Sequence, residues 1–359
     1  MTILITGGAG FIGTRLADTL DESTDVVVVD NLHKQVHGDG AQLPISRPHR
    51  KYIRGDVTDR MMWDRLLSRT TPSTVVHLAA ETGTGQSLHE ASRHTNVNVN
   101  GTAVMLDALS RHGKIPSSII LASSRAVYGE GKWKIEENGQ TFYGEPRIAA
   151  HLDEAEWLPT GPDGQTGSPL SHLASSTEPR PSSVYAATKL AQENILTAWC
   201  ASMATSLTIF RLQNVYGWGQ ALRNPYTGVL TAFSRQVLDH QTIEVYEGGG
   251  IVRDFVHVSD VVAVLKTAIE TPAEPSRRRL VDIGSGKPGT LAAFASVLTG
   301  LVDGARYTTS EKYRLGDVRS AWADNSAAER EFGYKPKVSF QEGAAELLAW
   351  AKQEINRGQ

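Results

Sequence analysis

Short runs of Val, Ile and Leu alternate with stretches of helical period through the first two thirds of the chain. The strand candidates are residues 2–6, 26–30, 51–54, 74–78, 118–123 and 207–211. Such short Val/Ile-rich runs, set between helical patterns, read as strands. Helical patterns fit between them at 11–20, 59–69, about 88–112 and 184–203. Strands and helices in this alternation predict βαβ units and an α/β fold, a Rossmann-like doubly wound parallel sheet.

Two regions break the alternation. Residues 130–183 are rich in Gly, Pro, Ser and Thr and keep no period. A stretch of that length inside a domain is expected to be functional or mobile. Its position before the 184–203 helix would let it cover a pocket as a lid. Beyond residue 215 the elements shorten and Gly and Pro become denser, which predicts a smaller α/β C-terminal domain. The expected division is 1–215 with the 130–183 insert, plus a strand-turn-helix near 253–270 returning to it, and 216–359 for the second domain.

Composition narrows the function without naming it. The 359 residues are 40% hydrophobic and 21% charged, with a formal net charge of −3, so no basic face recommends a nucleic-acid partner. The single cysteine, Cys200, excludes an internal disulfide, and its flanks LTAWCASM read as a helix with a core thiol. The three arginines at 277–279 read as a solvated loop. The run VVVVD at 26–30 is too short to span a bilayer. A strand so close to the first residue leaves no room for a leader, so the expectation is a cytoplasmic protein with no membrane contact.

Candidate chemistry begins at GGAGFIG, residues 7–13, which follows a strand and opens a helix. Gly7 permits a tight turn, Gly10 lets backbone approach a pyrophosphate, and Gly13 allows close contact of helix and strand. The free N–H groups of the helix start then face the phosphates. Asp30 ends the second strand, where a carboxylate accepts hydrogen bonds from a ribose diol and repels a 2′-phosphate; this favours NAD over NADP. GDVTD at 55–59 places Asp56 and Val57 at the end of the third strand, where an adenine would lie.

A second constellation is Ser124 in SSRAVYG with Tyr185 and Lys189 in YAATK. Tyr and Lys four apart share one face of a helix, so the ammonium is expected beside the phenol. A neighbouring cation favours the phenolate and makes it a usable base. Ser124, ending a strand, can give a second hydrogen bond to a reacting hydroxyl.

With GGAGFIG, DNL at 30–32, GDVTD, HLAA at 77–80, NVNGT at 98–102, SSRAVYG and YAATK in order, the chain resembles the extended short-chain dehydrogenase/reductase family. Within it, the likeness is to nucleotide-sugar epimerases and dehydratases, and it runs from residue 1 to about 345 outside the 130–183 insert. The resemblance implies NAD held by Gly7, Gly10, Phe11, Ile12, Gly13, Asp30, Asn31, Leu32, Asp56, Val57, Leu78, Ala79, Ala80 and Asn98, together with Tyr185 and Lys189. It implies Ser124, Tyr185 and Lys189 as catalytic residues. RLQNVYG (211–217), RDFVHVSD (253–260) and YRLGDVRSAWAD (313–324) then offer Asn214, Arg253, Arg314 and Asp317 to a nucleoside diphosphate, with Arg319 as a further cation. Thr82, Ser124 and Arg125 would face the sugar. No metal is implied, and helices near 88–112 and 184–203 would pair in a homodimer.

In that family Tyr185 would take the proton of the sugar 4-hydroxyl as hydride leaves C4. A 4,6-dehydratase places an Asp-Glu pair after its catalytic Ser or Thr; here Arg125 and Ala126 stand there, and Ala126 likewise replaces the Glu of a decarboxylase. A 4-epimerase needs neither acid. SSRAVYGEG, ETGTGQS (81–87) and DNLHKQVHG (30–38) are similar to the branch of 4-epimerases acting on dTDP-6-deoxyhexoses such as dTDP-L-rhamnose. The insert here lacks the cysteines found in that branch. UDP-hexoses remain as substrates, and a 4-ketoreductase using NADPH and a non-catalytic NAD(P)-binding protein remain as rivals. For Arg125 a scaffold ion pair and a part in the sugar site both stay open.

Overall fold

The six apolar runs become strands within one residue of their expected limits. In the computed structural model, which describes residues 1–222, 224 and 228–357, they are β1 Thr2–Thr6, β2 Asp25–Asp30, β3 Arg50–Arg54, β4 Thr74–His77, β5 Ser118–Ser124 and β6 Ser206–Leu212. A seventh strand, β7 Arg278–Ile283, pairs with β6 and gives a parallel sheet of order 7-6-5-4-1-2-3. The arginine run therefore is not a solvated loop but the start of an edge strand. Arg279 is buried, donating to the Thr208 hydroxyl and stacking on Phe332, so its charge is reached from the sheet edge rather than from bulk water.

Both faces of the sheet are covered, which is why its strands read as unbroken apolar runs. Helices α1 Phe11–Thr19 and α5 Val258–Glu270 pack together on one face, over Ile3, Ile5, Val26 and Val28. On the other face α2 Arg60–Leu67, α3 Gly101–Arg111 and α4 Val184–Ser202 cover Leu4, Val27, Val29, Val75 and Ile119. Cys200 is buried in that second core, as its flanks indicated. Burial lifts its thiol to about 12, so it stays protonated.

The long helical stretch expected near 88–112 runs without a gap as Ala91–His94, a π-helical turn Thr95–Asn100, and α3. A third core gathers Tyr216, Phe255, Phe294 and Phe340 with helices Val229–Leu238, Leu291–Gly300 and Phe340–Arg357. The 253–270 segment packs on the first core through α5, and β7 and helix Ser326–Phe332 join that core as well. The 130–183 insert is ordered. It holds a three-stranded antiparallel sheet of Lys132–Lys134, Thr141–Tyr143 and Ser168–Pro169 and a short helix, Ala149–Asp153. Among the described residues no helix is long and apolar enough to cross a membrane.

Candidate active site

The strand order reverses between β1 and β4, and a cleft of about 430 Å³ opens there at the carboxyl ends of the strands. Gly7 turns the chain at φ +65°, and a Cβ on it would lie 2.7 Å from the Ala79 backbone. A Cβ on Gly13 would lie 2.5 Å from Gly8 Cα, so only glycine lets α1 start this close to the strand. Gly10 precedes α1 without a side-chain cap, leaving N–H groups of the first turn for an anion. Phe11, Ile12, Leu78, Ala79 and Ala80 line the same walls.

Asp30 sits at the far wall. Its Oδ2 accepts from Ala9 N at 3.0 Å and its Oδ1 from Leu32 N at 2.8 Å, with His37 Nε2 at 3.5 Å. Burial alone would raise its pKa, but the hydrogen bonds from His37, Leu32 and Ala9 outweigh that and hold the carboxyl below its usual range. An ionised acceptor with open lone pairs at this wall fits a ribose diol. Asn31 and Val57 line the cleft, whereas Asp56 is taken up by Asn31 Nδ2 at 3.0 Å and by the Thr58 N–H and hydroxyl. Asp56 and Leu32 shape the wall from behind rather than facing a ligand.

Asn98 also acts from behind. It lies in the π turn, fully buried, accepts from Glu81 N at 2.8 Å, and donates to Glu81 O and Thr188 Oγ1. With its amide so occupied, Asn98 ties the end of β4 to α4 and has no free group for a cofactor. This corrects its expected place at the ligand.

Ser124, Tyr185 and Lys189 all line the cleft. Ser124 Oγ caps the following turn by accepting from Ala126 N, and Ser124 acts on the Tyr185 phenol against the effect of its burial. Ser183 caps α4, and Ser87 Oγ accepts from Tyr185 N at 3.0 Å, fixing the first turn. The expected Tyr–Lys pairing is different. Lys189 Nζ donates to Gln192 Oε1 at 2.5 Å, and Gln192 continues to Thr102 and His77. Burial pulls the Lys189 ammonium down to about 7, against a raising effect of Glu193. Tyr185 is raised by burial; its partners in the opposite direction are Ser124 and the charge of Arg125, not Lys189.

Behind the trio, Glu193 accepts from Ser123 Oγ at 2.5 Å and forms a buried two-point ion pair with Arg211. That pair locks α4 to the ends of β5 and β6, a geometry suited to guanidinium and carboxylate. Neither residue was singled out from the sequence, although Glu193 continues the Tyr185–Lys189 helical face one turn on.

On the substrate side the expected residues divide. Thr82 lines the cleft. Arg125 Nε donates to Asn214 Oδ1 at 3.0 Å, so the two are partners. Arg253 is buried, donates to the carbonyls of Val252 and Val318, and acts electrostatically on Arg125. Asp317 acts on both arginines. Arg314 is exposed over the Tyr246 ring and does not line the cleft. Arg319 pairs with Glu247 at 3.0 Å and is no free cation.

No described residue of the insert lines the cleft. Instead the insert is bolted to the 313–324 segment. Arg147 pairs with Glu130 and Glu247 and donates to Asp317 O, and His172 N donates to Trp322 O. It braces the segment carrying Arg314 and Asp317.

The profile of the NAD dependent epimerase/dehydratase family matches residues 3–151 and 159–284, including most of the insert. Over 356 residues the chain is 43% identical to a dTDP-L-rhamnose 4-epimerase of Burkholderia thailandensis, covering 99% of this chain and 96% of that protein. A UDP-glucuronate 4-epimerase of Arabidopsis thaliana is 26% identical over 370 residues, 98% of this chain and 75% of its own. A UDP-glucose 4-epimerase from Thermotoga maritima, crystallised with UDP-glucose, superposes with a TM-score of 0.75 at 26% identity, covering 99% and 100% of the two chains. MoeE5 in complex with UDP-glucuronic acid and NAD gives 0.74 at 28% identity and the same coverage.

Proposed function

The chain belongs to the NAD dependent epimerase/dehydratase family, and on that footing we propose that it epimerises a nucleotide-diphosphate sugar at C4 through a transient 4-keto sugar. The observation that carries the reading is the turn after Ser124. Ser124 and Tyr185 meet at the cleft, while the next two positions are Arg125 and Ala126, which cannot supply the acid and base of a dehydration. The substrate we favour is a dTDP-6-deoxyhexose of the dTDP-L-rhamnose kind, supported by the relative that is 43% identical over nearly the whole chain.

The cleft fits NAD: the glycine turn has no room for a side chain at Gly7 or Gly13, and Asp30 keeps an ionised acceptor at the ribose wall. NAD held by that turn and by Asp30 would supply the acceptor for hydride from C4 of the sugar and its donor on return. Tyr185 Oη takes the proton of the 4-hydroxyl and returns it, and Ser124 Oγ holds the same oxygen in place. Lys189 lines the cleft beside Tyr185, and Arg253 and Asp317 act on Arg125 from the second half of the chain. Because the sugar is first oxidised and then reduced, there is no net change in the cofactor. The protein is further read as a homodimer through α3 and α4, which pack side by side and leave Met203 exposed at the end of α4.

Incubation with dTDP-L-rhamnose, UDP-glucose and UDP-glucuronate, with products read by NMR, tests the reading. The expected result is conversion of dTDP-L-rhamnose to its C4 epimer without added nicotinamide being consumed. Stoichiometric oxidation of NADPH by a 4-keto sugar, with no epimerisation, would instead identify a ketoreductase.

A further inference from the structure

Resting on the NAD-dependent epimerase reading, we infer that Gln35 and Gln86 form a latch across the cofactor cleft, which opens each time the dinucleotide enters or leaves. Their carboxamides are paired in both directions. Gln35 Nε2 donates to Gln86 Oε1 at 2.9 Å, and Gln86 Nε2 donates to Gln35 Oε1 at 3.0 Å. Gln35 lies in the short helix Lys34–His37 after β2, and Gln86 in the short helix Thr84–Ser87 after β4. In the sheet β2 and β4 are the two neighbours of β1, whose carboxyl end carries the glycine turn. Gln35 lines the cleft together with Gly7, Gly10 and Asp30. A link between the segments that follow β2 and β4 therefore crosses the line of β1, at the turn that fits a pyrophosphate. A dinucleotide with one ribose at Asp30 and its nicotinamide near Tyr185 spans the same line, so it lies between the glycine turn and the paired amides.

The two arms of the latch are held unequally. On the β4 side Gln86 is buried and also donates to Glu90 Oε1 at 2.8 Å. Ser87 Oγ of the same short helix accepts from Tyr185 N, which ties this arm to α4. Arg93 pairs with Glu81 at 3.1 Å and with Glu90 at 2.7 Å, and it reaches across to Gln35 Oε1 at 3.2 Å. On the β2 side no residue of helix Lys34–His37 is buried. That arm is the one that swings, and Gln35 fastens it. Gln35 Nε2 also reaches Asn224 Oδ1 at 3.2 Å, so a segment of the second half of the chain meets the same amide. The chemistry gives the latch its use. Between oxidation and reduction of the sugar the cofactor must not exchange, because the electrons taken from C4 have to return to the same molecule.

The test needs no sugar. Protein stripped of nicotinamide is mixed with NADH, whose fluorescence follows entry; a chase with excess NAD follows exit, and titration gives Kd. A latch that is closed before and after binding and open only during passage slows both rates and leaves the affinity alone. Q35A is therefore expected to speed entry and exit alike, each about tenfold, in line with the loss of one or two hydrogen bonds, with Kd held within about threefold. Q86L should do the same, and the double variant should be no faster than either single one, since all three break one link. Unchanged rates overturn the inference. So does faster exit alone with Kd weakened in proportion, which would make Gln35 an ordinary contact of the cofactor. Should Q86L not fold, Q35A and Q35N, both changes at a half-buried position, read the same rates. Protein that binds NADH but turns over none of the sugars removes the epimerase reading alone, and protein that binds no NADH removes the latch as well.

Discussion

Lys189 Nζ donates to Gln192 Oε1 at 2.5 Å, so the ammonium points one turn along α4 instead of back to Tyr185. Gln192 in turn gives its amide to Thr102 and lies 3.3 Å from His77, whose imidazole burial holds neutral, down to about 3. A buried ammonium with one strong acceptor depends on that acceptor. In the protein stripped of nicotinamide, Lys189 has its native value near 7 and its unfolded value near 10.5. The unfolded chain holds more protons between those limits, so stability rises with pH across that window.

Gln192→Leu removes the acceptor. Below pH 7, where Lys189 is charged in both states, the variant should lose about 1.5–3 kcal/mol, the range for a hydrogen bond to a charged group. Near pH 9 the amine is neutral and the loss should shrink to about 1 kcal/mol. Urea unfolding at pH 6 and pH 9 gives the two values; equal losses would show that Gln192 does not hold the ammonium.

Tyr185→Phe keeps the ring and removes the oxygen that Ser124 approaches. Turnover should fall by about 10²–10⁴, the usual worth of a positioned acid–base group. NAD should stay bound, since the glycine turn and Asp30 are untouched. Bound nicotinamide is read from absorbance of the purified variant, and activity from the NMR assay.

Asp30→Asn keeps the shape of the ribose wall and removes its charge. An amide has one acceptor oxygen, so it cannot take both Ala9 N and Leu32 N, which Asp30 now does. NAD affinity should fall about tenfold, equal to roughly 1.4 kcal/mol. Discrimination against NADP should narrow, because the carboxylate that repels a 2′-phosphate is gone. Titration with both nucleotides measures the ratio; an unchanged preference would take the choice of cofactor away from Asp30.

Much of this was legible because burial on both faces writes itself as unbroken Val and Ile runs, and six strands and the glycine turn follow from them. β7 was hidden because its strand opens with arginines, and only the Thr208 hydroxyl and the Phe332 ring explain why Arg279 can be buried there. The helical spacing placed Tyr185 and Lys189 on one face correctly. It could not say which way a four-carbon side chain turns, and Gln192 offers a partner of equal reach. Asn98 was placed at the cleft by its motif, but its orientation depends on the π turn, which leaves no mark in the sequence.

The insert was the least legible region, because its buried apolar side chains, Trp133, Phe142 and Leu152, are scattered without period and a buried charge cluster ties it down. Arg147, 3% exposed, joins Glu130, 2% exposed, to Glu247, 0% exposed. Removing one partner of such a cluster leaves a buried charge uncompensated, typically at about 3–5 kcal/mol. Arg147→Met leaves Glu247 with Arg319 and strips Glu130 of the one ion pair it makes among the described residues. Burial already raises Glu130 above its usual pKa, with Arg147 opposing, so the variant should raise it further. A raised carboxyl binds more protons folded than unfolded, and the stability it contributes is lost as pH climbs through the folded value. Arg147→Met should therefore be more destabilised at pH 8 than at pH 5, and adding Glu130→Gln should recover part of the loss at pH 8. Because Arg147 Nη2 also donates to Asp317 O, KM for the nucleotide sugar should rise while kcat holds. Urea unfolding at the two pH values, beside steady-state kinetics, checks both; a variant equally stable at pH 5 and pH 8 would remove Glu130 from the account.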